Sequence, residues 1–232
     1  MDNPYGWDEI IERLDNPDKI GEQTKVINGK IKDFLKKNSF EQYITIEELI
    51  EKSAHDMFNP ELNFNIAQKY EEVGQTASAI SFYLRAAEYG HDTHHLIVYT
   101  SMLKIAHCFQ DQSGREHSVQ NALLQAIQYL PSRPEAYFLL ARFYERSKDW
   151  QHCYTFSEIG LMCPNKQPML PADVEYYGDY CLLFEKATSG WWVGRRDESL
   201  SIFLDLLKRN LPQEYIDVIK WNIKAINPDV VV

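Results

Sequence analysis

Along most of the chain, apolar residues recur at the three-to-four-residue spacing of an amphipathic helix. No alternating run bounded by turns marks a strand, except for the last few residues. Trp7, Ile10, Ile11 and Leu14 make the stripe of one short helix. Ile20, Ile27, Ile31, Phe34 and Leu35 make that of a longer one, whose other face carries Lys25, Lys30, Lys32, Lys36 and Lys37 as a solvated surface. Thr45-Ile46-Glu47-Glu48 is a capping box: the Thr oxygen accepts a first-turn N–H and Glu48 reaches back. It predicts a helix from Thr45 to about His55.

From residue 59 the pattern repeats. Asn59-Pro60-Glu61-Leu62 opens a helix with Ile66, Ala67 and Tyr70 on one face, and Gly74 ends it. Ala79, Tyr83 and Ala86 line the next helix. Small residues where two helices approach and large ones where a gap needs filling are what a helical hairpin requires. The pattern returns at Ile105, Ala106 and Phe109, with Gly114 at the turn, then Val119, Leu123 and Ala126, and Pro131 as a stop. It returns again at Tyr137, Leu140, Ala141 and Tyr144, with Cys153 and Gly160 in the partner helix and Pro164 beyond it. Ser132-Arg133-Pro134-Glu135 reads as the start of that third copy, with Ser132 as the cap. A poorer fourth copy covers about 171–209, with Gly194 at its turn and Leu200, Phe203 and Leu206 in its second helix. Ile216, Ile219, Ile223 and Ile226 predict a closing helix over 213–226.

Residues 59–91 resemble the tetratricopeptide (TPR) repeat at Ile66, Ala67, Tyr70, Gly74, Ala79, Tyr83 and Ala86 within a frame of about 34 residues. They depart from it at Asn63, where the family has Trp, and at His91, where it has Pro. The equivalent alanines Ala67, Ala106 and Ala141 are spaced 39 and then 35 residues apart, so the array is irregular. The resemblance implies an all-α fold of antiparallel helix hairpins stacked as a TPR-like α-solenoid. Its expected parts are an N-terminal helical cap over 1–58, the repeats over 59–165, and a degenerate repeat with a capping helix over 166–232. The stretches 75–88 and 133–146 also resemble TPR segments found beside glycosyltransferase domains, phage-encoded ones included, although the chain has no room for the sugar-nucleotide domain itself.

In the family, the first helix of each hairpin lines a binding groove. Carried over, this implies Glu61, Phe64, Gln68, Glu71 and Glu72 from the first copy and Thr100, Leu103, His107, Gln110 and Asp111 from the second. The third contributes Glu135, Phe138, Arg142, Glu145 and Arg146. Phe64, Leu103 and Phe138 are expected to form an apolar stripe. The Lys and Asn residues of the family's clamp for chaperone tails are absent. The expected partner is a protein or peptide, basic or mixed in charge, with one or two apolar anchors.

Charge narrows the classes further. A formal net charge of −10 argues against general nucleic-acid binding and against adsorption to an anionic membrane. No apolar run approaches the roughly 20 residues of a membrane span. The start, Met1-Asp2-Asn3-Pro4, lacks the basic and apolar regions of a secretory signal. Cys108, Cys153, Cys163 and Cys181 form no Cys-x-x-Cys pair and fall in apolar helical patterns, so they read as free thiols in a reducing compartment. The expected location is the cytoplasm, or a virion if the chain is phage-encoded.

No nucleophile elbow, zinc-protease motif, kinase signature or dinucleotide fingerprint is present. His91-Asp92-Thr93-His94-His95 has the density of a metal site without a ligand frame. Ser189-Gly190-Trp191-Trp192-Val193-Gly194-Arg195-Arg196 lacks the form of a phosphate loop and reads as the turn of the fourth hairpin. No catalytic residue, cofactor or metal is expected. The leading expectation is a non-enzymatic interaction or scaffold module. The alternatives are an accessory repeat domain of a glycosyltransferase system and a structural subunit of a phage assembly. Val230, Val231 and Val232 and the off-stripe Trp221 suggest docking or self-association through the C-terminal segment.

Overall fold

The structure, a computed structural model, describes residues 45–226 apart from Asp111 and Asn165. The two N-terminal stripes, the lysine face and Val230 to Val232 therefore lie outside the described residues. So does most of the expected N-terminal cap.

Ten helices account for most of the described residues: α1 Ile46–His55, α2 Pro60–Glu72, α3 Thr76–Gly90, α4 His95–Gln110, α5 Glu116–Tyr129, α6 Glu135–Arg146, α7 Trp150–Leu161, α8 Asp179–Trp192, α9 Arg196–Leu206 and α10 Gln213–Ile226. They pack as sequential antiparallel pairs in a TPR-like solenoid. Each helix from α2 to α9 leans chiefly on its neighbours in sequence, as a one-dimensional repeat array requires.

Local chemistry explains the ends. At α2 the Asn59 side chain accepts from Leu62 N at 3.0 Å, and Pro60 occupies the first turn, where an N–H would have no partner. The third hairpin starts differently from the reading that made Ser132 its cap. Pro134 precedes α6 without a side-chain cap bond, and the Tyr99 hydroxyl from α4 accepts from Ala136 N at 2.9 Å. A tertiary contact thus does what the sequence assigned to a local one.

The turns between paired helices share one construction. Gln75 N donates to Tyr70 O, Asp149 N to Tyr144 O and Arg195 N to Gly190 O. Each turn holds one residue in the left-handed region: Gly74 at φ 74°, Gly194 at φ 83° and, in the third hairpin, Lys148 at φ 60°. Gly114 does the same for the second hairpin at φ 75°. Counting back from these turns puts Ala67, Ala141 and Ala187 at one position, and all three are fully buried with Ala106. The main core runs from Phe64 to Cys153. A second forms around Ala187, Phe203, Leu206, Ile219 and Ile223, and Phe138, Cys181 and Leu182 lie between the two. Fully burying a Leu or Phe side chain contributes roughly 1.5–3 kcal/mol, so these clusters dominate stability. Gly160 marks the tightest approach, since a Cβ there would stand 2.9 Å from that of Tyr137.

Two further expectations change. The fourth hairpin does not begin near residue 171: its first helix starts at Asp179, and residues 166–178 form a non-helical strap between α7 and α8. Pro164, Pro168 and Pro171 withhold backbone donors and bias their predecessors away from helix. Cys163 is not within a helix but just beyond α7, half-buried, with its thiol 3.8 Å from Pro131 O. The other three cysteines are buried, and all four are free.

Candidate binding groove

The first helices α2, α4 and α6 bring the carried-over positions onto one face, but not all of them reach its surface. Phe64, Leu103 and Phe138 are 2%, 1% and 2% exposed, so the expected apolar stripe is core. Phe64 meets the Tyr83 ring edge-on at 5.5 Å. Thr100 is fully buried and donates to Leu96 O at 2.7 Å. Glu135 is buried against Arg133, whose Nε stands 3.1 Å from Oε2. Both ions sit beside Tyr99, with the guanidinium over its ring. Removing either partner of such a pair strands a buried charge.

The polar positions do reach the face. Glu61 is exposed, 3.7 Å from His94. Glu72 pairs outward with Lys69 at 2.7 Å, while Glu71 turns inward. The Glu71 carboxylate accepts from Tyr83 OH and from Lys104 Nζ at 3.1 Å, with His107 Nδ1 at 3.4 Å. Burial alone would raise its pKa, but these donors and the lysine charge outweigh it and hold the group down to about 2. Gln68 and Glu145 are half-buried and Arg146 is exposed; Asp111 lies outside the described residues.

His107 and Gln110 from α4 converge with Arg142 and Arg146 from α6 around a cavity of about 220 Å³. Asp173, Val174 and Glu175 of the strap close its other side. The strap therefore occupies the face that the resemblance assigned to a partner. Arg133 Nη2 donates to Pro168 O at 3.0 Å and Gln167 Nε2 to Ser132 O at 3.0 Å. Leu170, Ala172 and Val174 pack on the main core, and Tyr176 lies against Phe138 at 5.5 Å. Arg142 Nη1 donates to Glu175 Oε2 at 2.8 Å and lies 5.3 Å over the Phe138 ring. That arginine draws the Glu175 carboxyl below its ordinary pKa. The Pro-rich composition of 164–171 was the signal for the strap; nothing in it reveals where the strap lies.

Glu185 of α8 was not singled out by the sequence. It is 7% exposed, and its Oε2 has no hydrogen-bond partner among the described residues. Burial, reinforced by the nearby Glu145 charge and only partly offset by Arg142 and Arg146, raises its pKa to about 8.

The remaining clusters make contacts within the fold. Tyr129 OH donates to His91 O at 2.8 Å and stands 2.7 Å from His95 Nδ1, which ties the α3–α4 turn to α5. No three His, Cys, Asp or Glu among the described residues are grouped to hold a metal ion. Trp192 stacks on Trp150 at 5.3 Å, and Arg196 lies over Trp191. No described helix is long and apolar enough to cross a membrane.

No family model matches the sequence, and no curated protein does. Solved structures do match. PilF of Pseudomonas aeruginosa superposes with a TM-score of 0.55 at 13% identity, covering 74% of this chain and 71% of that one. MamA from Desulfovibrio magneticus RS-1 gives 0.53 at 11%, covering 79% and 93%. PilW, a type IV pilus biogenesis factor, gives 0.52 at 14%, covering 94% and 100%. These are TPR proteins, and the fold of this chain is accordingly TPR-like. The resemblance to glycosyltransferase-linked segments gains no support from them.

Proposed function

We propose that the chain is a non-enzymatic interaction module that holds a protein partner on the face formed by α2, α4 and α6. The observation that carries this is the convergence of His107, Gln110, Arg142 and Arg146, from two successive hairpins, on one cavity. Fixed polar groups over a rigid apolar floor are what a recognition surface needs. TPR folds typically serve as such scaffolds. The buried Phe64 and Phe138 are not contact anchors, so contact runs through the polar positions.

Site-specific photo-crosslinking tests this. A photoreactive residue replacing Gln110 should trap a discrete protein species in the native host. The same residue replacing Leu84, exposed on the second helix of its hairpin, should not. Equal trapping from both positions would overturn the reading.

A further inference from the structure

The strap shows what the groove accepts. Val174 packs against the core, Glu175 meets Arg142 and Tyr176 lies on Phe138, an apolar–acidic–aromatic order in non-helical chain that bends at Glu175. Asp173 faces its own segment, accepting from Glu175 N at 2.8 Å and Tyr177 OH at 3.1 Å. The carboxylates that border the cavity, those of Asp173 and Glu175, both come from the strap. The walls from α4 and α6 contribute Lys104, His107, Arg142 and Arg146. Glu71 already engages Lys104 and lies near His107. Arg146, which is exposed, borders the cavity, and its charge acts on Glu175 and Glu185. A wall of this charge, in a chain of net charge −10, selects for acidic occupants.

At Glu175 the strap is not held as a core element is. Glu175 makes its ion pair from φ 62°, a left-handed conformation that non-glycine residues rarely adopt. Its side chain is 53% exposed. Exposed pairs contribute little to stability, so this end of the strap is its weakly fastened part.

We propose that the groove between α4 and α6 receives a non-helical acidic segment of a partner protein in the order apolar–Glu–aromatic, and that the strap residues Val174-Glu175-Tyr176 are its resident competitor. This deepens the interaction-module reading and rests on it. It also reverses the charge expected of the partner from sequence.

The test uses the full chain and a fluorescent peptide of residues 172–178, beside a second peptide with Glu175→Lys. The Glu175→Gln/Tyr176→Ala variant loosens the strap, and Glu175→Gln alone serves should the double variant not fold. Fluorescence polarisation should show the acidic peptide binding the loosened chain at least about tenfold more tightly than wild type. The Lys peptide should not bind it. Adding Arg142→Glu should abolish binding of the acidic peptide and admit the Lys peptide. Equal binding of both peptides would overturn the acidic preference while leaving the interaction face intact. No binding of either peptide to any folded variant would overturn the proposal, while crosslinking from position 110 tests the interaction face separately.

Discussion

Glu175 meets the guanidinium of Arg142 at 2.8 Å from a left-handed backbone, so one residue carries both the contact and the strain of the strap. Glu175→Ala removes the contact and keeps the strain, which costs about 1–2 kcal/mol in the left-handed region. Amide hydrogen exchange should quicken across 172–178, while the amides of α4 and α6 keep their protection. A melting temperature change of more than a few degrees would show that the strap belongs to the cooperative core after all.

Lys148 is the non-glycine among the turn residues held at positive φ. Lys148→Gly should stabilise the chain by roughly 1 kcal/mol, the left-handed penalty less part of the entropy of a new glycine. Gly194→Ala, its counterpart one hairpin on, should destabilise by a similar amount. Urea unfolding with unchanged slope would report both.

Glu71 accepts from Tyr83 within its own hairpin and from Lys104 of the next, and so ties the two together. Its folded pKa, near 2, lies below the ordinary carboxyl value of 4.5. Its stabilisation is therefore complete above about pH 4.5 and is lost as the pH falls toward 2. Glu71→Gln should lower stability at pH 7 by about 2–3 kcal/mol and flatten the acid limb of the stability profile. An unchanged acid limb would assign that slope to other carboxyls.

Glu185 has the opposite sign. With a folded pKa of about 8 against 4.5, the folded chain holds a proton that the unfolded chain has released. Stability should fall as the pH rises from 4.5 to 8, by up to about 1.4 kcal/mol per pH unit. Glu185→Gln should remove that slope and raise stability at pH 8, as chemical denaturation across this range would reveal. No stabilisation at pH 8 would mean that Glu185 ionises without penalty in the folded chain.

At Gly160 the added methyl of Ala would press on the Tyr137 Cβ at 2.9 Å and on Leu182 at 3.0 Å. Overpacking of this kind costs about 1–3 kcal/mol, and thermal unfolding of Gly160→Ala should show it.

The repeat was legible where small and large residues alternate on helix faces: Ala67, Ala79, Tyr83, Ala106 and Ala141 are all core. Positional frames also found the face, because helix period alone determines which residues share a side. They could not tell which members of that side are covered. Phe64, Leu103 and Phe138 occupy frame positions that often face a ligand, yet here Tyr83, the main core and Tyr176 enclose them. The strap escaped because an irregular segment carries no period to read, and its docking depends on residues 30 or more positions away, such as Arg133 and Arg142. Glu185 escaped because burial of an acid is a tertiary property; its helix alone gives it no special place.

The strap is joined to the body at both ends, by α7 ending at Leu161 and α8 beginning at Asp179. Such a tether holds its segment near the groove at an effective concentration of order millimolar. A free segment making only the same three contacts would rarely win against it. Occupancy by a partner would then depend on surplus contacts beyond the strap's reach, such as basic side chains flanking the acidic segment that meet the exposed Glu61 and Glu72 of the first hairpin. On the proposal above, the chain's own segment sets the affinity that a partner segment must exceed.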